Sequence, residues 1–558
     1  MGLIRSRPLA FRGKGLSDTL DSSTAFSGAM NLLVNMIPDP TTDDQWVCRP
    51  AVQPLIVSLG SPWSSGFSSG FGPVATAANG NVSVMLVLGT RVYGMISSNQ
   101  YAGFDTPFCY DTATNTTLPI SGVTSGNIPA SLALTGDWIP PTMTLVGSKI
   151  VVCHQGFSGS NYVGFLNITN PASLSWTAGN LTGAITLTSP PYACGQFNGR
   201  AYYLINPPGG QPSAVFSDSL DPTKCTNANQ VLTFGDNLPL TAAVGLPLGS
   251  TTLGGIIQAL IVFKGASNIY QITGDPTTNN LAVNALNNAT GTLAPNSIST
   301  TPKGIAFVAP DGLRLIDFNA HVSDPIGLGG SGVNLPFIAA LHPSRMNAAY
   351  NSNVYRITLQ NGAAVGSPNQ EYWWDFARQR WCGPHTCTFA MINALQATFV
   401  GQLIGAYGQL VQSDTIQSGT STFSESGVQM TFDWRTSVLP DTDSMCENSM
   451  VETTLMMALN AGDTYGVTAI NQAGAVFDTL QVGSAVAPSL WGTMVWGTSL
   501  WGGASSVIAP IQLPWHYPIV FRRLAIDVQG NCSAALRIGT LHLRYQELQY
   551  LQQTLLGA

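Results

Sequence analysis

The sequence has very few charged side chains. Asp, Glu, Lys and Arg make up 9% of its 558 residues, whereas about 25% is typical of soluble domains. Such a surface is typical of a chain covered by copies of itself or by neighbours, and it disfavours a free cytosolic enzyme. The net charge of −7 argues against a nucleic-acid-binding surface, which needs clustered Lys and Arg. It is compatible with a channel through which nucleic acid passes, since weak repulsion prevents trapping.

Long apolar runs are also absent. The most apolar window, 253–263, is too short for a membrane span and contains Gly254, Gly255 and Gln258. The N-terminal stretch MGLIRSRPLAFRGKG has no apolar signal core. We therefore expect no transmembrane segment and a chain that folds in a reducing cytoplasm.

The cysteines show no pattern typical of a disulfide framework. They are odd in number and scattered, and only Cys382 and Cys387 lie close together, with His385 between them in a spacing that resembles no zinc pattern. Buried, reduced thiols are the expected state. The nine positions are Cys48, Cys109, Cys153, Cys194, Cys225, Cys382, Cys387, Cys446 and Cys532.

Catalytic motifs are missing as well. Neither GxSxG nor HExxH occurs, and the six histidines are dispersed. Residues 327–332 match GxGxxG but lack the preceding strand and the later acidic residue of a dinucleotide site. Asp311 and Asp375 are interpreted as turn and strand-end residues that bond local backbone or the neighbouring Arg314 and Arg378. The sequence therefore predicts no catalytic, metal or cofactor-binding residues, and no enzyme.

What the sequence does contain is strand patterns, most clearly around residues 372–385, YWWDFARQRWCGPH. Val354–Leu359 alternates as a strand, and 372–376 reads as the next one. A polar turn, 377–380, separates it from a third strand that opens at Trp381. Strand, strand, tight turn and strand are typical of a β-meander.

Similar units recur along the chain from about position 51 to position 415. They begin near positions 79, 147, 198, 260, 304, 352 and 401, and the intervals between them are the size of a propeller blade with some long loops. Asn198-Gly199 and Asp311-Gly312 are strong hairpin signals because such turns need positive φ. The spacing favours a β-propeller of six to eight blades in an all-β chain. The alternative is a set of unrelated hairpins in sandwiches.

The other segments complete the predicted domain order. Residues 1–50 form an N-terminal lead-in with extended pieces at 31–39 and 46–50, hypothesised to supply a strand to the last blade near 401–412. Residues 51–415 form the propeller, 416–427 a Ser/Thr/Gly-rich linker, 428–547 a β-sandwich or barrel domain, and 548–558 a C-terminal tail. Helical periodicity is scarce, with candidates only at 22–34, 335–346 and 548–556.

Three Trp-Gly pairs lie within the C-terminal domain, at Trp491, Trp496 and Trp501. Their regular spacing matches neither a helix nor a strand. The rings could form an exposed patch that anchors a protein interface or stacks on sugars. The alternative is a loop that packs its rings against its own domain.

Several stretches, taken in order, resemble one family. They are 31–37 with 46–50; Asn198-Gly199-Arg200, followed by Val215-Phe216-Ser217-Asp218 and Asp221-Pro222; then 263–274, 304–312 and 374–381. Together they resemble the tail nozzle or tail hub "stabilisation" proteins of short-tailed phages. The resemblance covers roughly positions 30–415 and carries over no functional residue.

The resemblance implies a propeller with an accessory β domain, in a ring of copies that is a hexamer in this family. The ring would lie below the portal and adaptor proteins, near tail fibre or needle proteins, with DNA passing through its lumen unbound. The chain would belong to the virion tail and be made in the host cytoplasm. The alternative hypothesis is a tail receptor-binding propeller that binds or cleaves host-surface glycans, supported by Trp491, Trp496 and Trp501.

Overall fold

The chain folds almost entirely into β-strands. Helical segments are short and include α1 (Leu335–Ile338) and 3-10 turns at Pro295–Ser297 and Pro343–Arg345. The predicted all-β class is confirmed. The computed structural model describes residues 6–17, 28–51, 53–54, 82–97, 103–114, 116–132, 139–249, 256–274, 276, 280–327, 332–359, 369–387, 392–398, 401–406, 409–412, 424–425, 428–440, 447–459, 463–483, 508–534 and 536–548.

The N-terminal segment is extended. Its strands are β1 (Ser6–Phe11), β2 (Gly15–Leu16), β3 (Ala29–Val34), β4 (Met36–Pro38), β5 (Trp46–Cys48) and β6 (Gln53–Pro54). The extended pieces predicted at 31–39 and 46–50 are confirmed. The helix considered for 22–34 is wrong for its described part, because β3 pairs with a strand of the C-terminal domain and tertiary pairing overrides local propensity.

Three small sheets follow, each made mainly of consecutive antiparallel strands. Sheet 1 contains β7 (Val82–Leu88), β8 (Arg91–Ser97), β9 (Asp105–Asp111) and β10 (Thr116–Leu118). Sheet 2 contains β11 (Ile120–Ser121), β12 (Thr142–Val146), β13 (Lys149–Cys153), β14 (Val163–Asn167) and β15 (Leu174–Gly179). Sheet 3 contains β17 (Ala193–Phe197), β18 (Arg200–Ile205), β19 (Ser213–Phe216) and β21 (Val231–Thr233), beside a separate pair of β16 (Thr182–Gly183) and β20 (Lys224–Cys225).

Four more small sheets complete this region. Sheet 4 contains β22 (Leu240–Gly249), β23 (Ile256–Lys264), β24 (Asn268–Thr273) and β25 (Ala282–Asn287). Sheet 5 contains β26 (Ser299–Thr301), β27 (Gly304–Ala309) and β28 (Gly312–Ile316). Sheet 6 contains β29 (Asn347–Asn351), β30 (Val354–Leu359), β31 (Asn369–Asp375) and β32 (Arg380–Cys387). Sheet 7 contains β33 (Ile392–Thr398), β34 (Gly401–Ala406), β35 (Gln409–Gln412) and the N-terminal β6.

The turns behave as their sequences predict. Asn198 and Gly199 both have positive φ, 48° and 68°, between the paired strands β17 and β18. Gly312, with φ of 130°, opens β28 directly after the turn from β27. Positive φ is accessible to Asn and Gly at little steric cost. Both hairpin predictions are therefore confirmed.

Neighbouring small sheets pack against each other in chain order. Strands β7, β12, β17 and β22 contact one another in that sequence, β29 contacts β26 and β33, and β33 contacts β7. Sheets 4 and 5 share an apolar cluster that includes Phe263 and Phe307. Strand β6 pairs with β35, with Gln53 opposite Gln412. This is the strand pairing that the sequence predicted for the N-terminal segment.

The C-terminal region forms two larger sheets around a shared core. The six-stranded sheet has the order β2-β3-β38-β44-β40-β41, and the seven-stranded sheet has the order β4-β5-β45-β39-β42, with β1 on β45 and β43 on β39. Trp434 and Ile526 of the first and Leu455 and Leu541 of the second belong to one cluster. The new strands are β36 (Ser424–Glu425), β37 (Val428–Gln429), β38 (Thr431–Thr436), β39 (Glu447–Ala458), β40 (Thr464–Asn471), β41 (Val476–Gly483), β42 (Ala509–Gln512), β43 (Val520–Phe521), β44 (Leu524–Asn531) and β45 (Arg537–Leu548).

The N-terminal segment belongs to both larger sheets. Strand β1 pairs along β45, from Ser6 opposite Gln546 to Phe11 opposite Leu541, and β3 pairs with β38. Strand β5 also pairs with β45. The segment is therefore part of the C-terminal domain as well as of sheet 7.

Two predicted segments, 335–346 and 416–427, contain only short elements in their described parts. Of the helix predicted at 335–346, α1 and a 3-10 turn exist, because Pro336 and Pro343 each occupy a first-turn position and cannot continue a preceding helix. Within the predicted linker, Ser424–Glu425 pairs with Val428–Gln429, and its other residues lie outside the described part of the chain. Residues 549–558 of the predicted tail and its helix also lie outside it.

Candidate functional site

The stretch 372–385 lies at the junction of three parts of the molecule. It spans most of β31 and β32, and these strands confirm the predicted meander with its turn before Arg380. Strands β2, β3 and β4 of the N-terminal segment contact β32. Trp374 and Trp381 of sheet 6 share one apolar cluster with Trp46 and Trp434. Sheet 6, the N-terminal segment and the C-terminal domain therefore meet in one core.

Arg49 is the centre of a buried polar network at this junction. Its side chain is fully buried, and its Nε donates to Oδ1 of Asn35 at 2.9 Å. Nη1 donates to the Pro50 carbonyl at 3.0 Å, and Nη2 to the Thr386 carbonyl at 2.5 Å. The guanidinium therefore connects β5 to the end of sheet 6 through hydrogen bonds with a charged donor, which are the stronger kind.

Asn35 connects the N-terminal segment to sheet 6 and to the six-stranded sheet. Its left-handed backbone, with φ of 56°, turns the chain between β3 and β4. Its Nδ2 donates to Oγ1 of Thr386 at 2.8 Å and to the Thr431 carbonyl at 2.7 Å. One amide side chain therefore bridges sheet 6 and the six-stranded sheet.

His385 is held neutral within this network. Nδ1 accepts a hydrogen bond from the Asn35 backbone N–H at 3.0 Å. Burial, followed by the positive charges of Arg49 and Arg356, holds the pKa of His385 well below its ordinary value. The Trp373 ring lies 4.6 Å from the imidazole and 3.8 Å from the guanidinium carbon of Arg356. A fully buried imidazole cannot reach a substrate in solution, so this network is structural. We call Asn35, Arg49, Arg356, Trp373 and His385 the junction network.

A second set of contacts lies at the rim of the junction. Arg378 donates from Nε to Oδ1 of Asp43 at 2.8 Å and pairs through Nη1 with Oδ2 of Asp375 at 3.1 Å. Asp375 Oδ1 also accepts the backbone N–H groups of Ala377 and Arg378. The roles predicted for Asp375 and Arg378 are confirmed, and the polar turn additionally binds the N-terminal segment.

The predicted contact of Asp311 with Arg314 is also confirmed. Arg314 Nε donates to Oδ1 of Asp311 at 2.9 Å, and the two side chains form a bidentate pair. The pair lies within the β27–β28 hairpin of sheet 5. Its geometry stabilises the hairpin and offers no free carboxylate to a substrate.

Buried polar contacts also connect neighbouring small sheets. His154, at the end of β13, lies 3.0 Å through Nε2 from Oδ2 of Asp105 on β9. Its Nδ1 accepts the Gly156 backbone N–H, so Nε2 carries the proton. Asp105 Oδ1 accepts a hydrogen bond from the Ser131 hydroxyl at 2.5 Å. The carboxylate lies between the serine and the histidine, an order unlike a hydrolase triad, in which the histidine is central.

Lys264 connects sheets 3 and 4, as the contact of His154 with Asp105 connects sheets 1 and 2. Its ammonium is fully buried and lies 2.5 Å from Oδ1 of Asp236. It donates to the carbonyls of Phe234 and Asp236 in the loop after β21. The charge is paired and bonded, which is what allows its burial.

The described cysteines are buried thiols. Cys48, Cys109, Cys153, Cys194, Cys225, Cys382 and Cys532 are buried, as predicted, and free of disulfides. Burial raises the pKa of Cys109 and Cys225 to about 12, so these thiols are unreactive at neutral pH. No group of three or more metal-ligating side chains occurs in the described ranges. The helices in those ranges are all too short to form a membrane-spanning segment.

The predicted tryptophan patch is not among the described residues. Trp491, Trp496 and Trp501 lie outside the ranges given above, as do residues 328–331 of the glycine-rich match. Sequence reasoning missed the pairing of Asn35 with Arg49. The available signal was a lone arginine inside an apolar, proline-flanked segment of a charge-poor chain.

Comparisons with known proteins assign no family. No protein-family model matches the chain, and comparison with curated proteins also finds no match. Similar solved structures include the WD40 repeats of RRP9 (10% identity, TM-score 0.34, 65% of this chain and 99% of that chain). Others are Sqt1 from Saccharomyces cerevisiae (8%, 0.32, 60% and 96%) and the SapL1 lectin with alpha methyl fucoside (16%, 0.31, 54% and 95%). Identities and TM-scores this low carry no functional argument for this chain.

Proposed function

We propose that this chain is a structural, non-enzymatic subunit that assembles with copies of itself into a ring. In this proposal the ring is the tail nozzle or hub of a short-tailed phage and extends the DNA-ejection conduit below the portal and adaptor. Tail fibre or needle proteins are its neighbours. The resemblance of the sequence to that family suggests the place in the virion.

One observation carries the proposal: several of the few charged side chains are buried inside the protein. The sequence has 21 basic and 28 acidic residues in 558. Ten of those in the described ranges are buried, so the surface is poorer in charge than the composition indicates. The ten are Asp39, Arg49, Asp105, Lys264, Arg345, Arg356, Glu371, Asp375, Asp478 and Asp527. A surface of this kind favours burial against other protein.

The seven small sheets are proposed to close into a seven-bladed propeller. Contact of β33 in sheet 7 with β7 in sheet 1 supports closure. The pairing of β6 with β35 supports it too, because it completes sheet 7 with a strand from the other end of the region. A closed array of blades leaves only short, protected sheet edges, which limits unwanted strand pairing.

The proposed role of the subunit in ejection is passive. A lumen lined by neutral or acidic polar groups lets DNA pass without binding, and the net charge of −7 fits this. The junction network would hold the C-terminal domain fixed on the small sheets, so that each subunit enters the ring as one rigid unit.

Mass photometry of the purified protein and negative-stain imaging of particles test this proposal. The expected result is a ring of defined copy number that is present in the tail. A monomer that never enters particles would contradict it. If that monomer bound host glycans on an array and lost binding in Trp496→Ala, the receptor-binding alternative would replace it.

A further inference from the structure

Two carboxylates lie side by side on the face of the six-stranded sheet that is opposite its core residues. Asp433 on β38 is opposite Gln529 on β44, and Arg435 is opposite Asp527, so the two aspartates are diagonal neighbours on adjacent strands. The core residues of both strands alternate with them and face the other side.

Both available donors reach the same pair of oxygens. Gln529 Nε2 lies 3.0 Å from Oδ2 of Asp433 and 2.8 Å from Oδ2 of Asp527. Arg435 Nη2 lies 3.0 Å from Oδ2 of Asp527 and 3.7 Å from Oδ2 of Asp433. The Oδ1 atoms of both aspartates are buried and have no donor among the described residues. The Asp527 side chain is only 4% exposed.

The facing positions on the described neighbouring strands supply no further charge. On β3, Leu32 is opposite Arg435 and Val34 is opposite Asp433. On β40, Thr468 is opposite Asp527, and Gly466 is opposite Gln529. Arg435 is therefore the one cation that faces the pair from these four described strands. Two ionised carboxylates would leave one uncompensated negative charge and two unsatisfied buried oxygens, which is costly.

We propose that Asp433 and Asp527 share one proton between their Oδ1 atoms, and that its release weakens the six-stranded sheet. The shared proton satisfies both buried oxygens and reduces the charge of the group to that of a single ion pair with Arg435. The pair is thus a proton-binding site on the C-terminal domain. This proposal is independent of whether the chain forms a ring.

The pKa of Asp433 determines the pH range in which the shared proton is released. Burial, followed by the hydrogen bond and charge of Asp527, raises the pKa of Asp433 to about 8, against opposing effects of Arg435 and Gln529. The native state then keeps a proton that the unfolded chain loses near the ordinary pKa of 3.8. Because the native state binds more protons in this window, stability falls as pH rises from about 4 to 8 and is level above it.

Thermal unfolding of wild type and Asp433→Asn between pH 5 and 9 tests the proposal. The amide of the variant donates to Asp527 at every pH, as the shared proton does only at lower pH. We expect the difference in melting temperature to be smallest at pH 5 and to grow as pH rises, so that the variant is several degrees more stable than wild type above pH 8. Infrared spectra of the native protein should show one protonated carboxyl that is lost near pH 8 and is absent from the variant, which keeps the test decisive even if melting is irreversible.

Asp221→Asn is the matched control. Burial raises the pKa of Asp221, but hydrogen bonds from Thr223 and the charge of Lys149 together hold it at about 2. This variant should therefore differ from wild type by the same amount from pH 5 to 9. Parallel pH profiles for wild type and Asp433→Asn would overturn the proposal. So would a melting temperature that Ca²⁺ or Mg²⁺ raises in wild type but not in Asp433→Asn, because the pair would then bind a metal ion in place of the proton.

Discussion

Arg49 and Asn35, which lie just after β5 and between β3 and β4, form a buried hydrogen bond from Nε to Oδ1 at 2.9 Å. Each residue also bonds to Thr386 at the end of sheet 6. Asn35 additionally reaches the Thr431 carbonyl of the six-stranded sheet. Two side chains from the N-terminal segment therefore hold together parts of the molecule that come from the last third of the sequence.

Arg49→Met is expected to destabilise the protein by about 3 kcal/mol, because it removes the charged donor from the Thr386 carbonyl and one of the two donors to Oδ1 of Asn35 in a buried site. Urea unfolding followed by tryptophan fluorescence measures the change. Arg12→Met is the control from the same segment, since the pair of Arg12 with Asp44 is exposed and is worth at most about 0.5 kcal/mol. Equal losses in the two variants would contradict the importance of the network.

His385 predicts a loss of stability in acid. The pKa of His385 in the native state lies well below 6.5. Below pH 6.5 the unfolded chain therefore binds a proton that the native state does not bind, and the free energy of unfolding decreases as pH decreases. His385→Asn keeps an acceptor for the Asn35 N–H and does not titrate. Urea unfolding from pH 5 to 7.5 should show a shallower slope for this variant. His321→Asn, at an exposed position, should keep the wild-type slope, and an unchanged slope in His385→Asn would refute the assignment.

The pairing of β6 with β35 predicts a specific cross-link. Gln53 and Gln412 are directly opposite, and opposed Cα atoms of antiparallel strands are about 4.5–5.5 Å apart, within the range of a disulfide. Gln53→Cys with Gln412→Cys should form an intramolecular disulfide on oxidation, detectable by mass spectrometry, and stabilise by roughly 2–4 kcal/mol.

Gln53→Cys with Thr398→Cys is its control. Thr398 lies on β33, three strands from β6 in sheet 7, or about 14 Å at the usual strand spacing. This pair should stay reduced. Cross-linking between molecules only, in the first variant, would show that β6 does not pair with β35 of its own chain.

Asp105→Ala should loosen the contact between sheets 1 and 2. The change leaves the Nε2–H of His154 and the Ser131 hydroxyl without their acceptor, at a cost of about 2–4 kcal/mol. Chemical denaturation measures the cost, and the exposed Asp324→Ala should stay within about 0.5 kcal/mol of wild type. A wild-type midpoint for Asp105→Ala would mean that the contact adds no net stability.

Local patterns predicted the strands well where pairing is local. Val354–Leu359 is a strand at the predicted positions, and the Asn198-Gly199 turn joins two strands as expected. In these cases a polar turn and alternation determine the pairing of neighbours in sequence. The helix considered for 22–34 failed because β3 gains its stability from β38 in the C-terminal domain, which no local pattern encodes.

The site was less accessible to sequence reasoning for a related reason. Asp375 with Arg378 was predicted because the two residues are close in sequence. The network of Arg49, Asn35 and His385 depends on contacts between distant parts of the sequence, and so does the proximity of Asp433 on β38 to Asp527 on β44. Tertiary register decides both, and one sequence without pairing information does not contain it.

The pairing of Ser6–Phe11 with Arg537–Leu548 has a consequence for biosynthesis. The first strand leaves the ribosome long before its partner is made, a delay of roughly half a minute to two minutes at about 5–20 residues per second. During that time β1 is without the strand that it pairs with. We expect nascent chains to depend on a chaperone over this interval, and any truncation before Arg537 to leave β1, β5 and β39 without the strand that they share.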